Sequence, residues 1–230
     1  MIVPTMTDEQ IRNEVRKDLV PIIHKFENSS KAYRRKILKT KAHTFPVITE
    51  TEFVSPRSNK WLLYQLSEHK REFEGKEKRK FVCIAHDHKG RKSAYEFNVS
   101  TGDIIIFRFS AHFFDRYKER MKLAEKGDDV IKTYFRRNKS YMIGTDAPLF
   151  SENGKYETVI FTEDGVGLGV LRDGMILIAT FLPVKYFSKT QREYYKHFEE
   201  YAIPSWQTRC EMHQDLIHAG VRPMRKYVTQ

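Results

Sequence analysis

The passage from Ile104 to Met121 constrains this chain most. Ile104-Ile105-Ile106-Phe107 is apolar and mostly β-branched, as a strand requires, and Ser110 then meets a run with helical spacing. Ser110 is a suitable cap for that helix. Phe113, Phe114, Tyr117 and Met121 would form its buried face, while His112, Arg116 and Arg120, four residues apart, line an adjoining stripe. An imidazole titrates near cell pH, and guanidinium groups hold phosphate oxygens bidentately. The stripe therefore suits an anionic ligand, phosphate foremost. The alternative is structural: both arginines pair with Asp115, Glu119 or more distant acids, and His112 caps or packs.

The flanking sequence alternates between elements. Thr7, followed by Asp8 and Glu9, can cap a first helix with Ile11, Val15 and Leu19 on one face, and Pro21 is expected to end or bend it. Val47–Val54 reads as extended, and Trp61–Leu66 has no clear period. Phe81–Ala85, Tyr95–Val99 and Ile104–Phe109 read as three antiparallel strands joined at His88-Lys89-Gly90-Arg91 and Thr101-Gly102-Asp103. A helix over about 128–137 follows. Then come Tyr156–Phe161, Gly165–Leu171 and Met175–Phe181 as three more strands, with Asp173-Gly174 at a tight hairpin. Ser188–Tyr201 and Ser205–Ala219 have helical patterns, separated by Pro204. The expected fold is α+β: an antiparallel sheet from two β-meanders, a helix pair between them, and helical additions at both termini.

Charge narrows the partners. Lys and Arg number 41 against 30 Asp and Glu, a formal charge of +11, which attracts nucleic acid, an anionic surface or an acidic protein. The densest basic segment, Lys31–Lys41, includes Arg34 and Arg35; it is either a solvated helix face or an arm contacting phosphates. Arg136 and Arg137 at the end of the 128–137 helix, with Lys139 just beyond it, add positive charge, and Tyr186 and Lys189 follow the last strand, where a loop could place a stacking ring and a cation. Two unclustered cysteines, Cys83 and Cys210, give neither a disulfide framework nor a zinc pattern. His86-Asp87-His88 lies beside a turn without a matching cluster, so no metal is expected, and no cofactor motif is present. Gly165-x-Gly167-x-Gly169 lies between strand signals and reads as close backbone approach or a bulge. The longest apolar stretch, Met175–Val184, is about half of the ~20 residues a membrane helix needs, so a cytoplasmic protein without membrane contact is expected.

Ser110, His112, Arg116 and Arg120, followed by a meander whose last strand carries Thr180, resemble the toxin-like and phage-associated domains of the barnase–EndoU–colicin–RelE nuclease fold group. The resemblance covers roughly residues 81–183. It implies metal-independent RNA cleavage: attack by a ribose 2′-hydroxyl on the adjacent phosphate, with His112 as acid or base, Arg116 and Arg120 clamping phosphate, and Thr180 orienting a phosphate oxygen or the histidine. It also implies a toxin or mobile-element setting and an acidic inhibitor or antitoxin as partner. The expected organisation is a basic helical extension (1–80), a nuclease-like core (81–187) and C-terminal helices (188–230). The other reading is a nucleic-acid-binding or regulatory module without turnover, or an interaction protein for an acidic partner.

Overall fold

A computed structural model describes residues 1–3, 5–41, 44–70, 78–87, 89–100, 103–151, 154–172 and 174–202. In chain order the elements are α1 (Asp8–Lys39), β1 (Val47–Val54), β2 (Lys60–Ser67), β3 (Lys78–His86), β4 (Lys92–Ser100) and β5 (Asp103–Phe109). They continue with α2 (Ala111–Met121), α3 (Asp128–Arg137), β6 (Met142–Gly144), α4 (Ala147–Phe150), β7 (Thr158–Thr162), β8 (Gly165–Arg172), β9 (Met175–Pro183) and α5 (Lys189–Ala202). The fold is mixed α+β, built on one nine-stranded sheet of order β1-β2-β3-β4-β5-β9-β8-β7-β6.

The sheet departs from the antiparallel expectation at its centre. β5 and β9 run parallel, with Ile106 opposite Met175 and Phe109 opposite Ile178. A parallel pair needs a long return connection, and everything from α2 to β8 supplies it. The expected boundary at residue 80 falls inside β3. β1 and β2, on its N-terminal side, hydrogen-bond into the same sheet through β3.

Side chains alternate across the strands, and each face is covered differently. On one face α2 and α3 bury Phe113, Tyr117, Ile131 and Tyr134 against Leu62, Val82, Phe107, Phe109 and Ile178. On the other, α1 lays Ile11, Val15, Ile22 and Phe26 over Trp61, Leu63, Cys83 and Phe97, while α5 sets Tyr195 and Phe198 against Val159, Phe161 and Leu168.

The N-terminus of α1 is closed by a capping box: Thr7 Oγ1 accepts from the Gln10 amide at 3.3 Å, and Gln10 Oε1 accepts from the Thr7 amide at 2.8 Å. Pro21 does not end this helix, which continues unbroken to Lys39. The carbonyl that loses its donor belongs to Lys17, an exposed residue, where water can replace the missing bond. The Gly165-x-Gly167-x-Gly169 run lies on β8, whose pairing with β9 shifts by one residue between Leu168 and Gly169. A Cβ on Gly169 would lie 2.2 Å from the Leu177 carbonyl oxygen, so glycine is required for the strands to approach. No described helix is long and apolar enough to cross a membrane.

Candidate nucleic-acid interface

The stripe on α2 begins where β5 ends. β9 continues past its last pairing with β5, leaving edge carbonyls that α2 covers. The Ser110 amide donates to the Ile178 carbonyl at 3.0 Å, and its hydroxyl donates to the Ala179 carbonyl at 3.1 Å. The same hydroxyl caps α2 by accepting from the Phe113 amide at 3.1 Å. At the other end of the helix the Arg120 guanidinium donates to the Phe181 carbonyl, and Lys185 Nζ donates to the Arg120 carbonyl at 2.5 Å. Arg120 thus closes an edge of the sheet.

Arg116 is engaged more loosely. Its Nη1 meets Glu119 Oε2 at 2.8 Å in an exposed i,i+3 pair, which contributes only about 0.3–0.5 kcal/mol. A phosphate could displace that partner at small cost. His112, one turn earlier, is exposed and has no hydrogen-bond partner among the described residues.

Thr180 does not share their face. Phe181, its neighbour, packs on Phe113 with ring centroids 5.8 Å apart, and Phe181 pairs with Gly167 on that side. Thr180 pairs with Leu168, whose side chain lies under α5. Cross-strand partners point to one side of a sheet, so Thr180 faces away from α2. His112 and Arg116 come together on the helix, and Thr180 is separated from them by the sheet.

Two of the later arginines are bound to carboxylates. Arg136 Nε reaches Glu50 Oε2 at 2.7 Å, bringing α3 against β1. Arg137 grips Asp164 through Nε and Nη2 at 2.9 and 2.7 Å. Asp164 also accepts from the Tyr117 hydroxyl at 2.6 Å and from Asn138 Nδ2 at 3.2 Å, tying both helices to the turn between β7 and β8. Burial, then this hydrogen bond, pushes the Tyr117 phenol well above its usual range, so it acts as a donor. Lys139 is half-buried, while Tyr186 and Lys189 are exposed, with Lys185 Nζ 5.0 Å from the Tyr186 ring centroid. His88 and Cys210 lie outside the described residues, as does the helix expected at Ser205–Ala219. Among the described residues no group of three His, Cys, Asp or Glu side chains forms a metal site.

The C-terminal third of α1 and the residues just after it carry a dense run of positive charge. Lys31, Arg34, Arg35, Lys36, Lys39 and Lys41 fall within eleven residues that contain no acid. All six are exposed, whereas Tyr33 and Ile37 are buried with Val47. The Tyr33 hydroxyl shares a 2.7 Å hydrogen bond with Ser67 Oγ, fixing the helix's rotation on the sheet. At about 100° per residue, Lys31, Arg35 and Lys39 project opposite Tyr33 and Ile37, directly into solvent. Lys36 reaches the Ile48 carbonyl at 3.3 Å, and Arg34 has a contact of its own. Lys31, Arg35, Lys39 and Lys41 have no partner among the described residues.

Comparison with protein-family models, curated proteins and solved structures gave no match. The functional reading therefore rests on this chain's own residues.

Proposed function

We propose that this protein binds nucleic acid, RNA foremost, through the cationic end of α1. The observation that carries the reading is the row Lys31, Arg35 and Lys39, opposite the buried Tyr33 and Ile37, in a segment from 31 to 41 that contains no carboxylate. Successive members are about 6 Å apart along the axis, a spacing at which one strand's phosphates can be met in turn. Phosphate neutralisation of this kind releases counterions and requires no base contact. The test is fluorescence anisotropy of a labelled single-stranded RNA with wild type and with Lys31→Gln/Arg35→Gln/Lys39→Gln. The reading expects a loss of affinity of at least tenfold in the triple variant with an unchanged melting temperature. Equal affinity would overturn it. Capture of an acidic protein from nuclease-treated lysate, with no RNA binding by wild type, would favour the protein-partner alternative.

A second reading is metal-independent cleavage, favoured by the exposed His112 beside a weakly held Arg116. Here His112 transfers the proton and Arg116 leaves Glu119 to hold the phosphate. Thr180 contributes nothing from the far face, and Arg120 keeps its structural bond. Labelled RNA incubated in EDTA with wild type, His112→Ala and Arg116→Ala separates the two readings. Cleavage by wild type alone supports turnover; equal products from all three, or none, remove it.

A further inference from the structure

Arg108 interrupts the apolar run Ile104–Phe109 of β5, flanked by the buried Phe107 and Phe109. It faces the other side of the sheet from those neighbours, beside Leu177 of β9, at the parallel seam. There it lines a cavity of about 190 Å³ with Arg172, Met175, Leu177 and Asp8. The cavity lies where α1 begins, and the Arg12 guanidinium donates to the Gly174 carbonyl, which joins the β8–β9 hairpin to that helix.

Neither arginine has an acidic partner among the described residues. Arg108 is half-buried and rests over the Tyr95 ring, its guanidinium carbon 5.7 Å from the centroid. The ring orients the guanidinium but accepts none of its five N–H donors in plane. A half-buried fork of unused donors is costly to the fold unless something satisfies it. Arg172, exposed at the end of β8, supplies a second fork on the same cavity.

We propose that this cavity binds a phosphate group, held between Arg108 and Arg172. Two guanidiniums match the oxygens of a phosphate bidentately. Met175 and Leu177 form an apolar floor beside it. The volume is below the ~300 Å³ at which sites usually enclose a whole small molecule, so the phosphate enters and the rest of the ligand stays outside. Among the described residues Asp8 is the one acid on the wall; it lies in the first turn of α1, where a carboxylate complements the helix dipole. Its charge opposes an anion, so removing it is expected to tighten binding. The phosphate belongs to a free phosphomonoester or to an RNA strand.

Calorimetric titrations with inorganic phosphate, adenosine 5′-monophosphate and a short RNA lacking terminal phosphates distinguish these sources. Arg108→Gln is expected to weaken the bound probe on the order of 10- to 100-fold, and Asp8→Asn to tighten it. Arg172→Gln, at an exposed position, is expected to weaken it too and serves if Arg108→Gln fails to fold. A free phosphomonoester is indicated if the mononucleotide responds and the α1 triple variant still binds it. An RNA strand is indicated if only the RNA binds and Arg108→Gln or Arg172→Gln weakens that binding in the α1 triple variant as well. Unchanged affinity for all three probes in a folded Arg108→Gln and in Arg172→Gln, or no saturable binding of any probe by wild type, overturns the proposal. The α1 reading can fail on its own variant without affecting this result.

Discussion

Arg116 and Arg120 lie four residues apart on α2, yet only Arg120 is part of the fold. Its guanidinium satisfies the Phe181 carbonyl beyond the end of β5, whereas Arg116 holds an exposed glutamate. Arg120→Ala is expected to cost about 1–3 kcal/mol, and Arg116→Ala within about 0.5 kcal/mol, by urea denaturation. A third residue sets an acid limit. The Arg57 guanidinium, through hydrogen bonds of 2.7 and 2.6 Å, holds the Glu14 carboxyl at about 2, well below its usual 4.5. A carboxylate with a lowered pKa stabilises the fold fully above pH 4.5, and the contribution is lost as pH falls from there toward 2. Glu14→Gln is therefore expected to lower the melting temperature at pH 7 and to flatten the loss of stability between pH 4.5 and 2. A variant with the acid slope of wild type would contradict that assignment. From sequence, all these arginines look alike, because charge and spacing do not say which carbonyl or carboxylate a guanidinium reaches.

At the scale of elements, local signals served well wherever one residue type dictates geometry. Ser110 and Thr7 cap helices as their spacing predicts, and residues 128–137 form a helix. Gly165-x-Gly167-x-Gly169 marks a bulge and close approach on β8. Gly169→Ala is expected to destabilise the protein by about 1–3 kcal/mol or more, since the added methyl meets backbone oxygen that cannot rotate away; a melting curve unchanged from wild type would count against the tight β8–β9 contact. Pro21 does not end α1 because proline's cost depends on whether the freed carbonyl is wet, which the sequence does not state. β2 lacked a visible period because seven of its eight residues are buried: α1 covers one face of the sheet there and α3 the other. Arg108 had a legible signal, a charge inside an apolar run, but its meaning depends on the neighbour strand.

At the scale of the whole molecule, that neighbour is what the sequence withheld. Two runs of antiparallel strands meet at the parallel β5–β9 seam, and this junction decides which side each residue takes. It puts α2, with His112 and Arg116, on one face, and Thr180, Arg108 and Leu177 on the other. Strand alternation fixes side chains relative to one another, but register across the seam is a long-range choice. The carboxylates of β1 then neutralise α3: Glu50 takes Arg136 and Glu52 takes Lys132. On α1, by contrast, Lys31, Arg35 and Lys39 have no partner among the described residues. This surface is expected to meet phosphates, and the salt dependence of RNA affinity measures that contact directly. For single strands the slope of log K against log salt is about −0.7 per phosphate contacted, so removing Lys31, Arg35 and Lys39 together is expected to reduce its magnitude by about 2. A triple variant with the same slope and affinity as wild type would contradict the claim.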